Sequence, residues 1–424
     1  MRTLADFRVL EPAEGFRILV HPTRRFKTLT MVLQAHQPLG EEATKVALLP
    51  SVLRRGCRGF PDMRAITIFL EELYGASMGT DVFKIGERHL VSIRMEAVHD
   101  RFVPRRIRML ERCLGFLWRL FSRPVGPPGR LRADYVSQEK ENLKRLIRGL
   151  INDRMAYAVE GCIQEMCRDE AFRRHEYGQL EEVDPITPRQ LRDLHRRILA
   201  GAPVDLFVVG DVEPRRAADL AARIFRFGRR HVAALPPTEV REGPPDGPRE
   251  VVRRLDVEQA RLVLGCRTGA TWSHPDAFPL LLANGLLGAF PHSRFFVHVR
   301  EKEGLAYAVH SSLDLCKGLF FVTAGIDPAK YGRCVEVIRA QMADVAAGRF
   351  SEDEWEKTRR TLLDRIRSRE DSPAAKIGAF TEMSLGGRPM TAGELASAVE
   401  RVTREEAARA ASRLRPDTLF FLRP

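Results

Sequence analysis

Eleven histidines and seven cysteines are the residues of this 424-residue chain best able to hold a metal or attack a substrate, and their spacing limits what they can do. A zinc peptidase site presents two imidazoles one helical turn apart with a carboxylate between them. Both nitrogens then reach one ion and the carboxylate takes a proton from its water. No H-E-x-x-H, H-x-x-E-H or H-x-H occurs in this sequence. His292 and His298 are the nearest pair, and a six-residue offset puts them on different sides of a helix. The histidines are therefore expected in the core or on the surface, with no metal held by this chain. Cys57, Cys113, Cys162, Cys167, Cys266, Cys316 and Cys334 are odd in number and form no C-x-x-C pair. That excludes a zinc ribbon and a disulfide framework and leaves free thiols in packed positions. A cysteine nucleophile is not signalled either, since Cys57 in RRGCRG has no histidine beside it. Gly285 and Gly288, in NGLLGAFPHS, lack the lysine and spacing of a phosphate loop.

The elements that would position any site occur twice. Strand patterns at Phe16 to Val20 and Thr28 to Ala35, then a helix from Glu41 to Arg54, match strands at Glu250 to Asp256 and Ala260 to Arg267 with a helix from Pro275 to Leu287. A polar helix and a strand pair follow in each half. They are Met63 to Leu73 with Ser77 to Phe83 and His89 to Met95, against Ser293 to Lys302 with Tyr307 to Leu313 and Leu319 to Ile326. Helices at Asp100 to Leu120 and Lys330 to Ala347 come next, then long charged helices at Asp134 to Leu150 and Glu352 to Arg369. Thr187 with Gln190, and Thr403 with Glu406, have the spacing of capping boxes that start a last helix before a closing apolar strand. Between the copies, Gly228 to Glu250 is rich in proline and glycine without apolar period and reads as an extended linker. Strands in adjacent pairs argue for α+β rather than doubly wound architecture. The expected fold is two homologous half-units, each an antiparallel or mixed sheet with helices packed on one face. The expected domains are residues 1–227 and 251–424, with 228–250 as the linker.

Composition narrows the class. With 44% hydrophobic residues the chain is long enough for two cores of about 200 residues each. The net charge of +13 raises nucleic acid as a partner. Most of that charge is arginine alternating with acids on amphipathic helices, no reader motif accompanies it, and no nucleic-acid partner is expected. No apolar run approaches the roughly 20 residues of a membrane helix, and charges and a proline interrupt MRTLADFRVLEPAEGFRILV. A cytoplasmic protein without a membrane span is the expectation.

Two stretches carry a family resemblance. PHSRFFVHVREKEGLAYAVHSSLD, Pro291 to Asp314, resembles the second-half signature of the insulinase or pitrilysin metallopeptidases, the inverzincins, especially their processing-peptidase branch. GEEATKVALLPSVLRRGCRGFPD, Gly40 to Asp62, with LEELYGASMGTDV after it, resembles the region where catalytic members carry H-x-x-E-H. Counted back from Arg55-Gly56, the resemblance implies that the two histidine ligands and the glutamate base are replaced by Ala47, Ser51 and Pro50. The third ligand, a glutamate on the later charged helix, falls near Leu146. Alanine and leucine offer no lone pair, serine is a poor zinc ligand at neutral pH, and proline can neither accept a proton nor donate its N–H.

The resemblance further implies roles for Arg300 and Tyr307, in V-R-E-K-x-x-L-A-Y: to hold a substrate backbone and stabilise the oxyanion at a zinc site carried by another chain. The implied protein is the zinc-free subunit of a heterodimeric peptidase, inactive alone, whose partner is a sister chain bearing H-x-x-E-H and zinc and whose substrate is a peptide. Two other readings stand beside it. One is a pseudoenzyme scaffold or peptide-binding module, in which Arg300 pairs with Glu301 or Glu303 and Tyr307 packs in a strand. The other is a basic RNA-binding protein, which a steep salt dependence of binding would reveal.

Overall fold

The computed structural model describes residues 1–104, 107–228, 231–244, 246–256 and 259–424. The chain divides into two compact units, Met1–Arg148 with Arg174–Pro237, and Gly149–Arg173 with Thr238–Pro424.

In the first unit, the described strands are β1 (Arg2–Leu4), β2 (Phe7–Ala13), β3 (Phe16–Pro22), β4 (Thr28–Pro38), β5 (Ser77–Ile85), β6 (Arg88–Val98) and β7 (Val204–Gly210). They form one sheet in the order β1-β2-β3-β7-β4-β6-β5. β3 and β7 run parallel, and the other neighbours are antiparallel. β7 is buried along its whole length, as the apolar run VDLFVVG requires of a central strand. Helices α1 (Ala43–Arg54), α2 (Met63–Glu72), α3 (Met109–Ser122) and α4 (Ala133–Gly149) follow in sequence. The chain then forms α5 (Arg154–Met166), whose segment belongs to the other unit, and returns with α6 (Pro188–Gly201) and α7 (Pro214–Ile224). α1 packs on β5 and β6, α3 on β6, and α7 on β3.

The second unit has strands β8 (Arg249–Arg254), β9 (Ala260–Arg267), β10 (Ala306–Asp314), β11 (Leu319–Ile326) and β12 (Arg415–Arg423), ordered β10-β11-β9-β12-β8. Its helices are α8 (Ala277–Asn284), α9 (Tyr331–Ala346), α10 (Glu352–Ser368), α11 (Pro373–Leu385), α12 (Ala392–Glu400) and α13 (Arg404–Ala411). The duplication read from the sequence is present in the topology. β8 pairs parallel with β12 as β3 does with β7, and β9, β11 and β10 continue the sheet as β4, β6 and β5 do. The architecture is α+β in both units. Thr187 with Gln190 and Thr403 with Glu406 form the expected reciprocal caps.

Several expectations are corrected. β1 and β2 lie at the sheet edge, where charges and Pro12 are tolerated, and these features hid them in the sequence. The helix expected from Asp100 begins only at Met109. Asp100 to Phe102 is a single 3₁₀ turn, Pro104 intervenes, and the Asp100 carboxylate accepts the Met109 N–H at 2.6 Å; residues 105 and 106 of that stretch lie outside the described residues. Within the expected linker, residues 229, 230 and 245 lie outside the described residues; the described part of 228–248 has no helix or strand, and β8 already begins at Arg249. All seven cysteines are buried and unpaired.

Candidate functional site

α1 is apolar nearly all round, and Val46, Ala47, Leu48, Leu49, Val52 and Leu53 are all buried. Pro50 sits inside the helix without ending it. An interior proline removes one backbone hydrogen bond, and burial on several sides offsets that cost. Ala47, Pro50 and Ser51 have i, i+3, i+4 spacing and share one face. On α4, Glu139, Asn142, Leu143 and Leu146 recur at three- and four-residue intervals and make the opposing stripe.

The structure brings Ala47, Pro50, Ser51 and Leu146 together as the lining of one cavity of about 320 Å³. Arg54, Glu139 and Asn142 complete its helical wall, while Thr80, Asp81 and Val82 of β5 and Tyr177 form the other side. The Glu139 side chain is buried, and both of its oxygens are engaged. Arg55 Nε donates to Oε1, and Asn142 Nδ2 donates to Oε2 at 3.0 Å. Thr44, one turn before Ala47, fixes the Tyr177 loop against α1. Its hydroxyl donates to Glu182 and accepts the Gln179 N–H at 3.1 Å. Gly178, at φ +73°, lies so close to Thr44 that any side chain would collide with it. Burial, with Asp81 and Glu176 nearby, raises the Tyr177 hydroxyl above its ordinary pKa. Burial likewise raises the Asp81 carboxyl, against a hydrogen bond from the Val82 N–H at 2.8 Å.

Zinc does not fit this cavity. A zinc site needs three or four nitrogen, sulfur or oxygen ligands, yet no histidine or cysteine lines it among the described residues. Glu139 is committed to Arg55 and Asn142. A larger open cleft of the first unit, about 910 Å³, lies beside the starts of α3 and α7. Its chemistry is already satisfied: Asp100 caps α3, Glu213 caps α7, and Asp211 is paired with Arg24 and Arg101.

In the second unit, the segment expected as a polar helix from Ser293 to Lys302 has a π-helical stretch at Phe296–Lys302. Arg294, buried, anchors it. Its guanidinium reaches Gln341 at 2.9 Å, Glu354 at 3.0 Å and Asp344 at 3.3 Å. Arg300 is exposed on the last turn, stacked over the Phe296 ring at 4.7 Å and 3.5 Å from the Glu301 carboxylate. Glu303 pairs instead with Arg333. Tyr307 occupies the irregularity in β10 where the register slips between Ala306 and Ala308, a bulge that re-aims its side chain. It is 45% exposed, with its ring over Gly325 and its hydroxyl hydrogen-bonded to Arg261. Among the described residues no hydrogen bond joins Arg300 to Tyr307.

Sequence reasoning missed Arg54, Asp81, Glu139, Tyr177 and Arg261. Glu139 was recoverable, since it stands seven residues before Leu146 on one helix face. Tyr177 and Arg261 reach their places through long-range packing, for which the sequence offers no local signal.

A family model described as the inactive domain of peptidase M16 matches residues 185–362. A probable inactive metalloprotease of Bacillus subtilis, YmfF, is 31% identical over 410 residues, covering 96% of each chain. An uncharacterised zinc protease of Mycobacterium leprae is 28% identical over 53% of this chain and 51% of its own length. The crystal structure of a conserved protein from Enterococcus faecalis superposes with a TM-score of 0.91 at 27% identity, covering 99% of both chains.

Proposed function

The chain belongs to the M16, or insulinase, peptidase family on its inactive side, and from that premise we propose that it is the zinc-free subunit of a two-chain peptidase. The observation that carries this reading is the cavity between α1 and α4. Its four positions expected to hold ligands and base carry Ala47, Pro50, Ser51 and Leu146 while the cavity itself stays open. Zinc and the water-activating glutamate then belong to a sister chain with H-x-x-E-H, and the pair works on peptides in the cytoplasm. No helix among the described residues is long and apolar enough to cross a membrane.

In this reading Arg300 supplies a fixed positive charge and Tyr307 a hydroxyl donor to a peptide at the sister chain's zinc. The exposure of both side chains and the bulge under Tyr307 support it. When bound in the sister chain, zinc would polarise the scissile carbonyl and lower the pKa of its water. Arg300 would orient the peptide, and the Tyr307 hydroxyl, released from Arg261, would donate to the carbonyl oxygen as charge develops there.

The test is reconstitution with the zinc-bearing sister. Arg300→Ala and Tyr307→Phe should leave folding and pairing intact, and each should lower peptidase activity by roughly ten- to a thousandfold. The loss falls in kcat if the contact strengthens in the transition state. Wild-type rates for both variants would favour the second reading, a peptide-binding module without proteolytic role. Its support is that Arg300 rests on Phe296 and Glu301, and Tyr307 on Arg261, within their own unit.

A further inference from the structure

The cavity between α1 and α4 holds an arginine that none of the described residues answers. Arg54 is half-buried and its Nε is sealed from water, yet no hydrogen bond, ion pair or ring contact reaches the side chain among the described residues. The adjacent Arg55 shows the contrast, since it takes Glu139. Withdrawing part of a guanidinium from water without a partner costs free energy, which an anion entering the cavity would offset. On the facing side stands Asp81, its carboxyl raised by burial and held by one backbone N–H. Between them lie the apolar surfaces of Ala47, Pro50 and Leu146.

A positive group on one side, a carboxylate on the other and an apolar floor between them select a small dipolar ligand. A phosphate would bring two negative charges toward Asp81 and Glu139, and like charges at close range in a partly desolvated site are costly. A metal cation would have to displace Arg54. A singly charged carboxylate suits Arg54, whose planar fork can bind both oxygens. If that carboxylate ends a peptide, an amide N–H follows within a few bonds and can donate to Asp81, while the last side chain covers the apolar floor. We propose that this cavity, lined by the positions that the family resemblance assigns to a zinc site, binds the C-terminal carboxylate of a peptide through Arg54, with Asp81 accepting from the terminal backbone. The inference rests on the peptide-binding character proposed above and names the part of the peptide that is read.

The experiment uses the full chain alone, without a sister subunit. A fluorescein-labelled hexapeptide ending in leucine is titrated as the free acid, as the C-terminal amide, and as an amide with glutamate as its last residue, with inorganic phosphate as competitor. The expected result is that the free acid binds at least about tenfold more tightly than either amide, that Arg54→Gln abolishes the difference, and that Arg54→Lys restores part of it. Because Leu146 lies at the rim and is 46% exposed, Leu146→Trp should fold and yet fill the cavity, weakening the free acid selectively. Equal binding of acid and leucine amide overturns the assignment and leaves the peptide-binding reading standing. Equal binding of acid and glutamate amide overturns the choice of the chain terminus over a side chain. Phosphate competing at the peptide's own affinity overturns the ligand class. Absence of binding by any peptide overturns the inference, whereas the roles of Arg300 and Tyr307 are judged separately by the reconstituted pair.

Discussion

At the scale of single residues, the first unit contains titratable groups whose protonation is set by burial, and they make its stability depend on acid. His89 and His195 are each pushed down to about 4, chiefly by burial. The charges of Lys84 and His175 add to this at the first, and those of Arg192 and Arg196 at the second; backbone hydrogen bonds oppose it. An unfolded chain takes up these protons near pH 6.5, whereas the folded chain refuses them until about pH 4. Stability is therefore complete above about 6.5 and falls with decreasing pH across that window, by about 1.4 kcal/mol per pH unit for each group. Asp205 works lower on the scale. Burial opposes its charge, but His36 and the two bonds from Arg17, at 2.7 and 2.6 Å, hold it down at about 2, so its contribution is present above about pH 4 and is lost as the pH falls toward 2. His195 Nε2 lies 2.7 Å from the Phe121 carbonyl oxygen, which can only accept, so this ring nitrogen carries the proton and donates it. His195→Gln keeps a donor there and removes the titration. Urea unfolding at pH 7, 6 and 5 should show a slope shallower by about one proton in this variant, and an unchanged slope would mean that His195 does not titrate differently on folding.

At the scale of elements, the cavity is shaped by a loop clamped to a helix. Gly178 is the tightest point of that clamp, at positive φ and against Thr44. Gly178→Ala should cost roughly 1–3 kcal/mol from backbone strain alone and loosen Tyr177, read as a lowered urea midpoint with the m-value kept. The strands after residue 15, and their matching order along the chain in the two halves, were legible because each half repeats the same alternation of apolar residues and turns. α1 and α4 were legible for the same reason, whereas Ala47, Pro50, Ser51 and Leu146 were singled out on them only through the family resemblance. Other features obey rules that are not local. β1 and β2 are recruited by an existing edge, and the π-helical stretch at Phe296–Lys302 follows a segment that Arg294 fastens to Gln341, Asp344 and Glu354. The arginine without a partner at position 54 has no sequence signature at all, because Arg54 and Arg55 are indistinguishable until Glu139 chooses one of them.

At the scale of the whole molecule, the division drawn by the proline-rich stretch is crossed by one piece of chain. Gly149–Arg173 precedes that stretch in sequence yet is grouped with the second unit. α5 packs on β9 and β12, where Cys162, Ile163, Met166 and Phe172 share a core with Val263, Phe321 and Phe420. Gly161 lets the helix approach, since a methyl group there would meet the Phe420 ring at 2.6 Å. A fully buried ionic network fastens the end of the segment: Glu170 lies 2.7 Å from Arg267 and 2.6 Å from Lys317, and Arg267 also binds Asp417 at 2.6 Å. Cutting the polypeptide between His231 and Pro237 therefore severs the connection without removing α5 from the second unit. We expect a chain nicked there to elute as one species under native conditions and to separate into two fragments only in urea. Glu170→Ala leaves Arg267 and Lys317 short of a counter-charge in the interior, at a cost of roughly 3–5 kcal/mol, and should lower the urea concentration at which the fragments part. Fragments that separate in buffer immediately after cleavage would show that the proline-rich stretch alone holds the halves together and that α5 contributes no lasting attachment.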